Sequence, residues 1–143
     1  MNYFTLQEMR CKDADKTPYP AKWEHDRWAR HLQLINAVRE RWGHGVLVLS
    51  GYRTRLYNAS IGGAKFSQHV EGRATDLRPT GLPADVAQWT QAHYEVINAF
   101  HALALEMHRS GELPELGGIG KYPTFVHLDS RQGESLAQWG KTA

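Results

Sequence analysis

The sequence has few of the features that mark membrane, disulfide-rich or nucleic-acid-binding proteins. Cys11 is the only cysteine among 143 residues, so no intrachain disulfide can form. No stretch approaches the roughly 20 apolar residues that a membrane-spanning helix needs. Residues 1–5 have neither a basic start nor an apolar run, so we expect no signal peptide. The formal net charge is only +2, with both signs mixed along the chain, and we expect no nucleic-acid partner.

The composition that remains is typical of one globular domain. Apolar residues make up 41% and charged residues 22% of the chain, which are ordinary proportions for a folded protein. A chain of this length fits one domain with one core, and we predict a single domain over residues 1–143. Five tryptophans and six tyrosines supply bulk for that core and rings that can line a groove.

The spacing of apolar residues predicts two long helices. In residues 23–42 apolar side chains recur at three- and four-residue steps, and Gly43 ends this helix. A second helix is predicted to open near Pro83 and to end at Gly111. Its expected buried stripe consists of Val86, Trp89, His93, Val96, Phe100, Leu103 and Met107.

Short apolar or alternating runs predict strands at 46–49, 74–77, 117–120 and 125–129. The first is continuously apolar, so a buried strand is expected there. A turn at residues 122–123 joins the last two strands, and residues 50–63 lead into a polar loop. The tail, 130–143, is mostly polar. This order of elements predicts an α+β fold with two helices packed on a small, mostly antiparallel sheet.

Eight histidines are present, and one segment gives His69 a distinct setting. Five others fall on the predicted helices and are expected to be ordinary surface or half-buried side chains: His25, His31, His93, His101 and His108. In residues 67–76, Gly72 permits a tight reversal between His69 and Asp76. Ala74 and Asp76 share one face of the predicted strand. The segment can therefore direct an imidazole and a carboxylate at one point.

His127 supplies a third group of the same kind. Its predicted strand places Phe125, His127 and Asp129 on one face. Two imidazoles and one carboxylate make a suitable Zn²⁺ set, and three protein ligands leave a position for water. Zinc lowers the pKa of that water toward about 7. Spacing alone equally allows a hydrogen-bonded His–Asp pair without metal.

Four motifs together closely resemble the zinc D-Ala-D-Ala metallopeptidases, which include D,D-carboxypeptidases, D,D-dipeptidases and phage endolysins. They are Ser-Gly-Tyr-Arg at 50–53, Ser-x-His-x-x-Gly-x-Ala-x-Asp at 67–76, Gly-Gly-Ile-Gly-x-Tyr at 117–122 and Phe-Val-His-Leu-Asp at 125–129. The resemblance implies the fold shared with the N-terminal domain of hedgehog proteins. It also implies that His69, Asp76 and His127 are the zinc ligands, and that Arg53 contacts a substrate carbonyl or carboxylate.

One position departs from the family pattern. Many members carry an acidic general base three residues before the last histidine, and this chain has Thr124 there. Asp129 is the nearest replacement, because it shares a strand face with His127. Two roles stay open for Asp129: the catalytic base, which we favour slightly, or a partner that orients a metal ligand or Arg53. Glu71 is a weaker candidate for the base.

The resemblance implies hydrolysis of amide bonds in bacterial peptidoglycan, in stem peptides or cross-links that contain D-amino acids. Zinc would activate water, and Asp129 would carry its proton to the leaving amine. Arg53, Ser67, Gln68 and Tyr52 are expected to bind substrate, with Tyr122 and Phe66 as further apolar walls. The alternative from another class is a zinc-containing peptidoglycan-binding domain without turnover, or a structural domain of a phage particle.

These expectations extend to partners and location. The partner implied by the resemblance is a peptidoglycan peptide, and we expect the chain to be a monomer. Without a signal peptide, we expect it to stay in the cytoplasm until it is released to the cell wall. The sequence leaves open whether a host or a phage encodes it.

Overall fold

A five-stranded sheet organises the computed structural model, which describes residues 2–140; Met1 and 141–143 of the predicted domain lie outside the described residues. The strands are β1 (Val46–Ser50), β2 (Ala74–Pro79), β3 (Gly118–Lys121), β4 (Val126–Asp129) and β5 (Ala137–Gly140). The helices are α1 (Ala29–Trp42), α2 (Arg55–Ser60) and α3 (Gln91–Arg109). Short helical turns occupy Leu6–Met9, Ala21–Trp23, Glu24–Trp28 and Val86–Gln88.

The strand order is β1-β2-β4-β3-β5, and only the β3–β5 pair is parallel. The predicted α+β class with a mostly antiparallel sheet is therefore confirmed. No helix within residues 2–140 is long and apolar enough to cross a membrane.

The two faces of the sheet differ in chemistry, and the register decides which residues lie on each. Asp76 on β2 lies opposite His127 on β4, and the neighbouring Leu77 lies opposite Val126. Alternation then puts Asp76, His127 and Asp129 on one face, which we call the site face. Leu77, Val126 and Leu128 point the other way, into the core under α1 and α3, and we call this the helix face.

The first helix forms close to where its apolar spacing predicts it. It begins at Ala29, after a π-helical turn over Glu24–Trp28, and ends at Gly43. Leu34, Ile35 and Val38 are completely buried against the sheet and α3. Burying such side chains contributes roughly 1.5–3 kcal/mol each.

The second helix begins later than predicted, at Gln91 rather than near Pro83. Two local hydrogen-bonded caps explain the difference. The Asp85 side chain accepts the backbone N–H of Ala87 and opens a separate short turn, and Thr90 caps α3 together with His93. Such caps stop and start helices because they satisfy orphan backbone groups. The buried stripe accordingly consists of Ile97, Phe100, Ala104 and Met107, whereas Val86 is exposed.

Three further expectations are corrected by the structure. The apolar run 46–49 does form β1, but as an edge strand in which Leu47 is 50% exposed rather than buried. The polar loop contains α2, which the Thr54 side chain caps at its N-terminus. The polar tail contributes β5, which pairs with β3. Short elements of this kind carry too few residues to show a period in the sequence.

His31 on α1 is fully buried, unlike the surface or half-buried side chain expected there. Its Nδ1 lies 3.1 Å from Ser130 Oγ and its Nε2 3.1 Å from Thr75 Oγ1, so one ring links α1 to β2 and to the end of β4. Burial is the main cause that lowers the pKa of His31 from 6.5 to about 3; the nearby Asp129 opposes this shift, and His127 and His69 add to it.

We predict that His31 makes the fold less stable in mild acid. Below about pH 6.5 the unfolded chain binds a proton at this residue, and the folded chain does not until about pH 3, so stability falls as the pH is lowered through this window. Between pH 7 and pH 5 the loss is about 2 kcal/mol. Urea unfolding of metal-depleted wild type and His31→Gln at both pH values measures it. An equal loss in both proteins would contradict the prediction.

Candidate metal centre

Three side chains converge at one end of the site face. His69, Asp76 and His127 are buried, and each offers a ligand atom within 4.8 Å of the others. His69 Nε2 lies 3.2 Å and His127 Nδ1 lies 3.1 Å from the same atom, Asp76 Oδ1. The three residues singled out from the sequence are thus brought together.

A tight turn before β2 places His69. Gly72 adopts a φ of +69°, and a Cβ atom there would lie 2.6 Å from the Trp23 ring, so this position needs glycine for both conformation and space. The Tyr19 hydroxyl donates to the Gly72 carbonyl at 2.7 Å. On the other side, the backbone N–H of Arg53 donates to the His69 carbonyl at 3.1 Å and ties the turn to the end of β1.

Each histidine has one ring nitrogen engaged behind the site. Nδ1 of His69 lies 2.7 Å from the Gly51 carbonyl oxygen, which can only accept, so this nitrogen carries the proton. Nε2 of His127 lies 2.8 Å from Asp129 Oδ2 and donates to that carboxylate. Both tautomers follow from these partners. The lone pairs of His69 Nε2 and His127 Nδ1 therefore face Asp76.

This donor set fits a divalent metal with a preference for nitrogen and oxygen. Donor atoms at tetrahedral positions around Zn²⁺, about 2.0–2.1 Å from it, lie about 3.3 Å apart. The distances of 3.1 and 3.2 Å from Asp76 Oδ1 to the two ring nitrogens are close to that spacing. The hydrogen bonds to Gly51 and Asp129 orient the rings from behind, as outer partners of metal-binding histidines commonly do.

The electrostatics of Asp76 and His69 favour the charge states of metal ligands, whereas those of His127 favour a proton that a metal would replace. Burial favours the neutral form of Asp76, but the adjacent His127 and His69 rings outweigh it and hold the pKa of this carboxyl below its usual value. Burial lowers the pKa of His69. For His127, the carboxylates of Asp129 and Asp76 outweigh burial and raise the pKa, which favours the protonated ring, so a metal bound at Nδ1 would have to displace that proton. An ionised carboxylate and a neutral imidazole are the forms that bind metal.

Arg53 stands beside this cluster on the β1 side. Its guanidinium donates to Ser50 Oγ at 3.1 Å, to Asn58 Oδ1 at 3.2 Å and to Asp76 Oδ2 at 3.4 Å. These contacts fix its position, and Arg53 also lines the cavity above the three side chains. It is placed to meet a polar group bound next to Asp76.

Asp129 lies behind His127 and not in the cavity lining. It is fully buried, and both of its oxygens are taken. Arg131 donates from Nε to Oδ1 at 2.8 Å and from Nη2 to Oδ2 at 2.7 Å, and His127 Nε2 shares Oδ2. Nε2 and Nδ1 are on different edges of the imidazole ring, so Asp129 does not face the point where the ligand atoms meet. Of the two roles left open for Asp129, this geometry favours orienting His127.

Two glycines of β3 make room for this arrangement. A Cβ at Gly118 would lie 2.4 Å from Asp129 Oδ2, and one at Gly120 would lie 2.3 Å from Trp139 Nε1. Such distances are far inside van der Waals contact, so any side chain there would displace Asp129 or Trp139. Glycine is therefore required at these two positions of the Gly-Gly-Ile-Gly segment, because Asp129 and Trp139 pack directly against the backbone.

The three side chains open into a cavity of about 620 Å³. The rings of Tyr122 and Phe125 stack at 4.5 Å in its wall, and Trp139 lies 5.0 Å from the His127 ring and donates to the Tyr122 hydroxyl at 3.0 Å. Other lining residues predicted from the sequence are Phe66, Ser67 and Gln68.

Two candidates lie elsewhere. Tyr52 is not brought to the cavity, since its ring packs against those of Tyr19 and Trp23 at 6.1 Å each. Glu71 forms ion pairs with Arg27 at 3.7 Å and Arg55 at 3.8 Å outside the lining.

Sequence reasoning missed Trp139 and Arg131, which both line the cavity. Trp139 reaches it because β5 pairs with β3 and sets this residue opposite Gly120. Arg131 reaches it through its ion pair with Asp129. A basic residue two positions after Asp129 was the one available signal, and it carries no meaning until the strand pairing is known.

Comparison with known proteins identifies the family to which the chain belongs. A family model described as Peptidase M15 matches residues 2–99, which include His69 and Asp76. A stretch of 90 residues is 32% identical to a probable peptidoglycan L,D-endopeptidase, MepK, of Haemophilus influenzae. That match covers 58% of this chain and 38% of the relative, so the chain spans well under half of that longer protein. His127 lies beyond the residues that the family model matches, and the fold adds it to the cluster. The chain belongs to the Peptidase M15 family.

Proposed function

We propose that this chain is a zinc-dependent peptidase that hydrolyses an amide bond in peptidoglycan stem peptides or their cross-links. One observation carries the proposal: two imidazoles with fixed tautomers and an ionised carboxylate point at one spot on the floor of an open cavity. Membership of a peptidase family supports the reaction type, and the name of the Haemophilus relative supports the substrate class.

We further propose that residues 1–143 act as one peptidase domain. The family model ends at residue 99, but the sheet continues past it. Strand β2 from the matched part pairs directly with β4 from the rest, and Asp76 and His127 meet across that pair. Neither part holds the proposed ligand set by itself.

In this proposal, bound Zn²⁺ supplies a Lewis acid for the scissile carbonyl and lowers the pKa of water toward neutrality. The chain's own residues position the peptide. Arg53 lies beside Asp76 and can stabilise a developing oxyanion or hold a terminal carboxylate with its remaining N–H groups. Gln68 lines the cavity, and its buried Oε1 has no hydrogen-bond partner among residues 2–140, so a rotation of this side chain would offer an acceptor to a substrate N–H.

For Asp129 we propose a positioning role. A carboxylate whose oxygens are bound by Arg131 and His127 is poorly placed to take a proton from water in the cavity. Instead it fixes the ring of His127 and increases the basicity of Nδ1. Of the described residues that line the cavity, Asp76 is the only one with a carboxylate.

A second candidate function follows from the lack, among the described residues, of a free carboxylate near the ligand cluster that could act as the catalytic base. With Thr124 in place of the family's acid, and Asp129 engaged elsewhere, a zinc-containing peptidoglycan-binding domain without turnover is the competing proposal. It shares the metal and the partner with a peptidase and differs only in product formation.

Mass spectrometry of muropeptides separates these functions. Purified zinc-loaded protein is incubated with peptidoglycan, with His69→Ala as the inactive control. A carboxypeptidase removes one terminal residue from stem peptides, whereas an endopeptidase converts cross-linked dimers into monomers or cuts within a stem. If zinc-loaded protein binds intact peptidoglycan and yields neither the carboxypeptidase nor the endopeptidase products, the result would favour the binding domain.

The metal is expected to stabilise the fold. Its proposed ligands come from segments on either side of α3, so binding braces β2 and its preceding turn against β4. At a free zinc concentration about 1,000 times the Kd, the gain is about 4 kcal/mol. Thermal unfolding with zinc and with a chelator should show a higher Tm with zinc in wild type and in His101→Ala, a histidine outside the cluster. No zinc-dependent shift is expected in His127→Ala; equal shifts in both variants would refute the assignment.

Asp129→Asn tests the positioning role. We expect it to weaken zinc binding by about 10- to 100-fold, with activity largely restored by excess zinc. A catalytic base would behave differently, with full zinc occupancy and a kcat reduced roughly 10²- to 10⁴-fold. Competition with a chromophoric chelator gives the affinity, and turnover at saturating zinc gives kcat. A variant that keeps both values would show that Asp129 has neither role.

A further inference from the structure

We propose that Arg131 forms a second carboxylate-binding subsite in the cavity, across the His69–Asp76–His127 cluster from Arg53. The inference rests on the proposed function and narrows its substrate. The favoured peptide carries a free carboxylate that reaches Arg131, on the opposite side of the scissile bond from the group held by Arg53. Peptides in which that carboxylate is an amide are then poor substrates.

The guanidinium of Arg131 is held in place by contacts on one edge. Nε and Nη2 donate to the fully buried Asp129 at 2.8 and 2.7 Å, and the backbone N–H of Arg131 donates to the same carboxylate at 3.2 Å. The guanidinium carbon also lies 5.3 Å from the centre of the Trp139 ring. A side chain fixed in this way loses little further entropy when it binds a ligand.

The other edge of the same guanidinium is available. Within residues 2–140, Nη1 of Arg131 makes no hydrogen bond, and the side chain is 33% exposed while it lines the cavity. Arginine has five N–H donors, and the contacts with Asp129 use two of them. The remaining N–H groups match the geometry of a carboxylate.

The topology places the two arginines on different sides of the ligand cluster. Arg53 follows β1, at one edge of the sheet, whereas Arg131 follows β4 and contacts Trp139 on β5, at the other edge. Strands β2 and β4, which carry Asp76 and His127, lie between. A peptide laid across the cluster therefore meets Arg53 toward one end and Arg131 toward the other.

The charges around the cavity favour an anionic ligand. Its lining includes Arg53, Lys65 and Arg131, against the single carboxylate of Asp76. Asp129 lies beneath the wall and offsets one of these charges. A divalent metal on the cluster would add to the positive excess. Clefts with an excess of one sign attract ligands of the opposite sign and reject like-charged ones.

The test uses synthetic peptidoglycan stem peptides in which one carboxylate at a time is replaced by a primary amide. Zinc-loaded wild type should lose roughly 10- to 100-fold in kcat/KM at one position, the effect of losing one charge-assisted contact. Arg131→Gln should abolish that penalty, and Arg131→Lys should keep part of it. The control Arg55→Gln, at a side chain 81% exposed and outside the cavity lining, should keep the wild-type penalty.

Selectivity separates binding from positioning. If Arg131 only held Asp129, then Arg131→Gln would lower the rates on free-acid and amidated peptides alike, and the ratio between them would stay as in wild type; that result overturns the proposal. Asp129→Asn, which weakens the ion pair but keeps the arginine, should reduce the ratio only in part, whereas Arg131→Gln abolishes it. A wild type that treats all peptides equally also overturns it.

A binding measurement keeps the subsite testable if no peptide is cleaved. Calorimetric titration of metal-depleted wild type with the free-acid and amidated peptides gives their Kd values, and circular dichroism verifies that the Arg131 variants are folded. Absence of cleavage with a Kd ratio that depends on Arg131 contradicts the peptidase and supports the subsite. Cleavage without any such ratio supports the peptidase and overturns the subsite.

Discussion

The antiparallel pairing of β2 with β4 sets Asp76 directly opposite His127, and the rest of the site is built around that register. Because side chains alternate along a strand, a slip of one residue would turn the site face into the core and put Leu77 and Val126 in the cavity. Complete burial of Leu77, Val126 and Leu128 under the helices therefore holds the register that the chemistry needs. His31 adds a polar link through that same core, from α1 to Thr75 on the strand that carries Asp76.

How much the sequence could predict depended on how local the determining forces are. The trio His69, Asp76 and His127 was found because a turn glycine and strand alternation constrain it within short segments, and the family resemblance joined the segments. The first helix has a long apolar period, and its end at Gly43 was predicted, although its regular α-helical part begins at Ala29 rather than near residue 23. The second was predicted to begin too early, because capping by Thr90 outweighs the apolar spacing that continues upstream of it.

Some of the residues that surround the ligand cluster could not be predicted from the sequence, because their positions depend on pairing between distant strands. Trp139 belongs to a four-residue edge strand whose position depends on pairing with β3, and nothing in its own segment marks it as part of a cavity. The Gly-Gly-Ile-Gly segment was visible as a motif, but its meaning required the partners. The missing side chains of Gly118 and Gly120 leave room for Asp129 and Trp139, and the sequence does not show which side chains will fill that room.

If the proposed function holds, the Asp129–Arg131 ion pair would serve both ligand orientation and substrate recognition. A carboxylate with no exposure needs a compensating charge, since an unpaired buried ion costs several kcal/mol. His127 could not supply it if it bound metal as a neutral imidazole, and the ion pair with Arg131 would then balance the charge. The arginine is only partly buried, and satisfying Asp129 uses one edge of its guanidinium. The need to balance a buried charge behind a ligand thus leaves a fixed cationic edge at the wall of the cavity, where an anionic peptide can meet it.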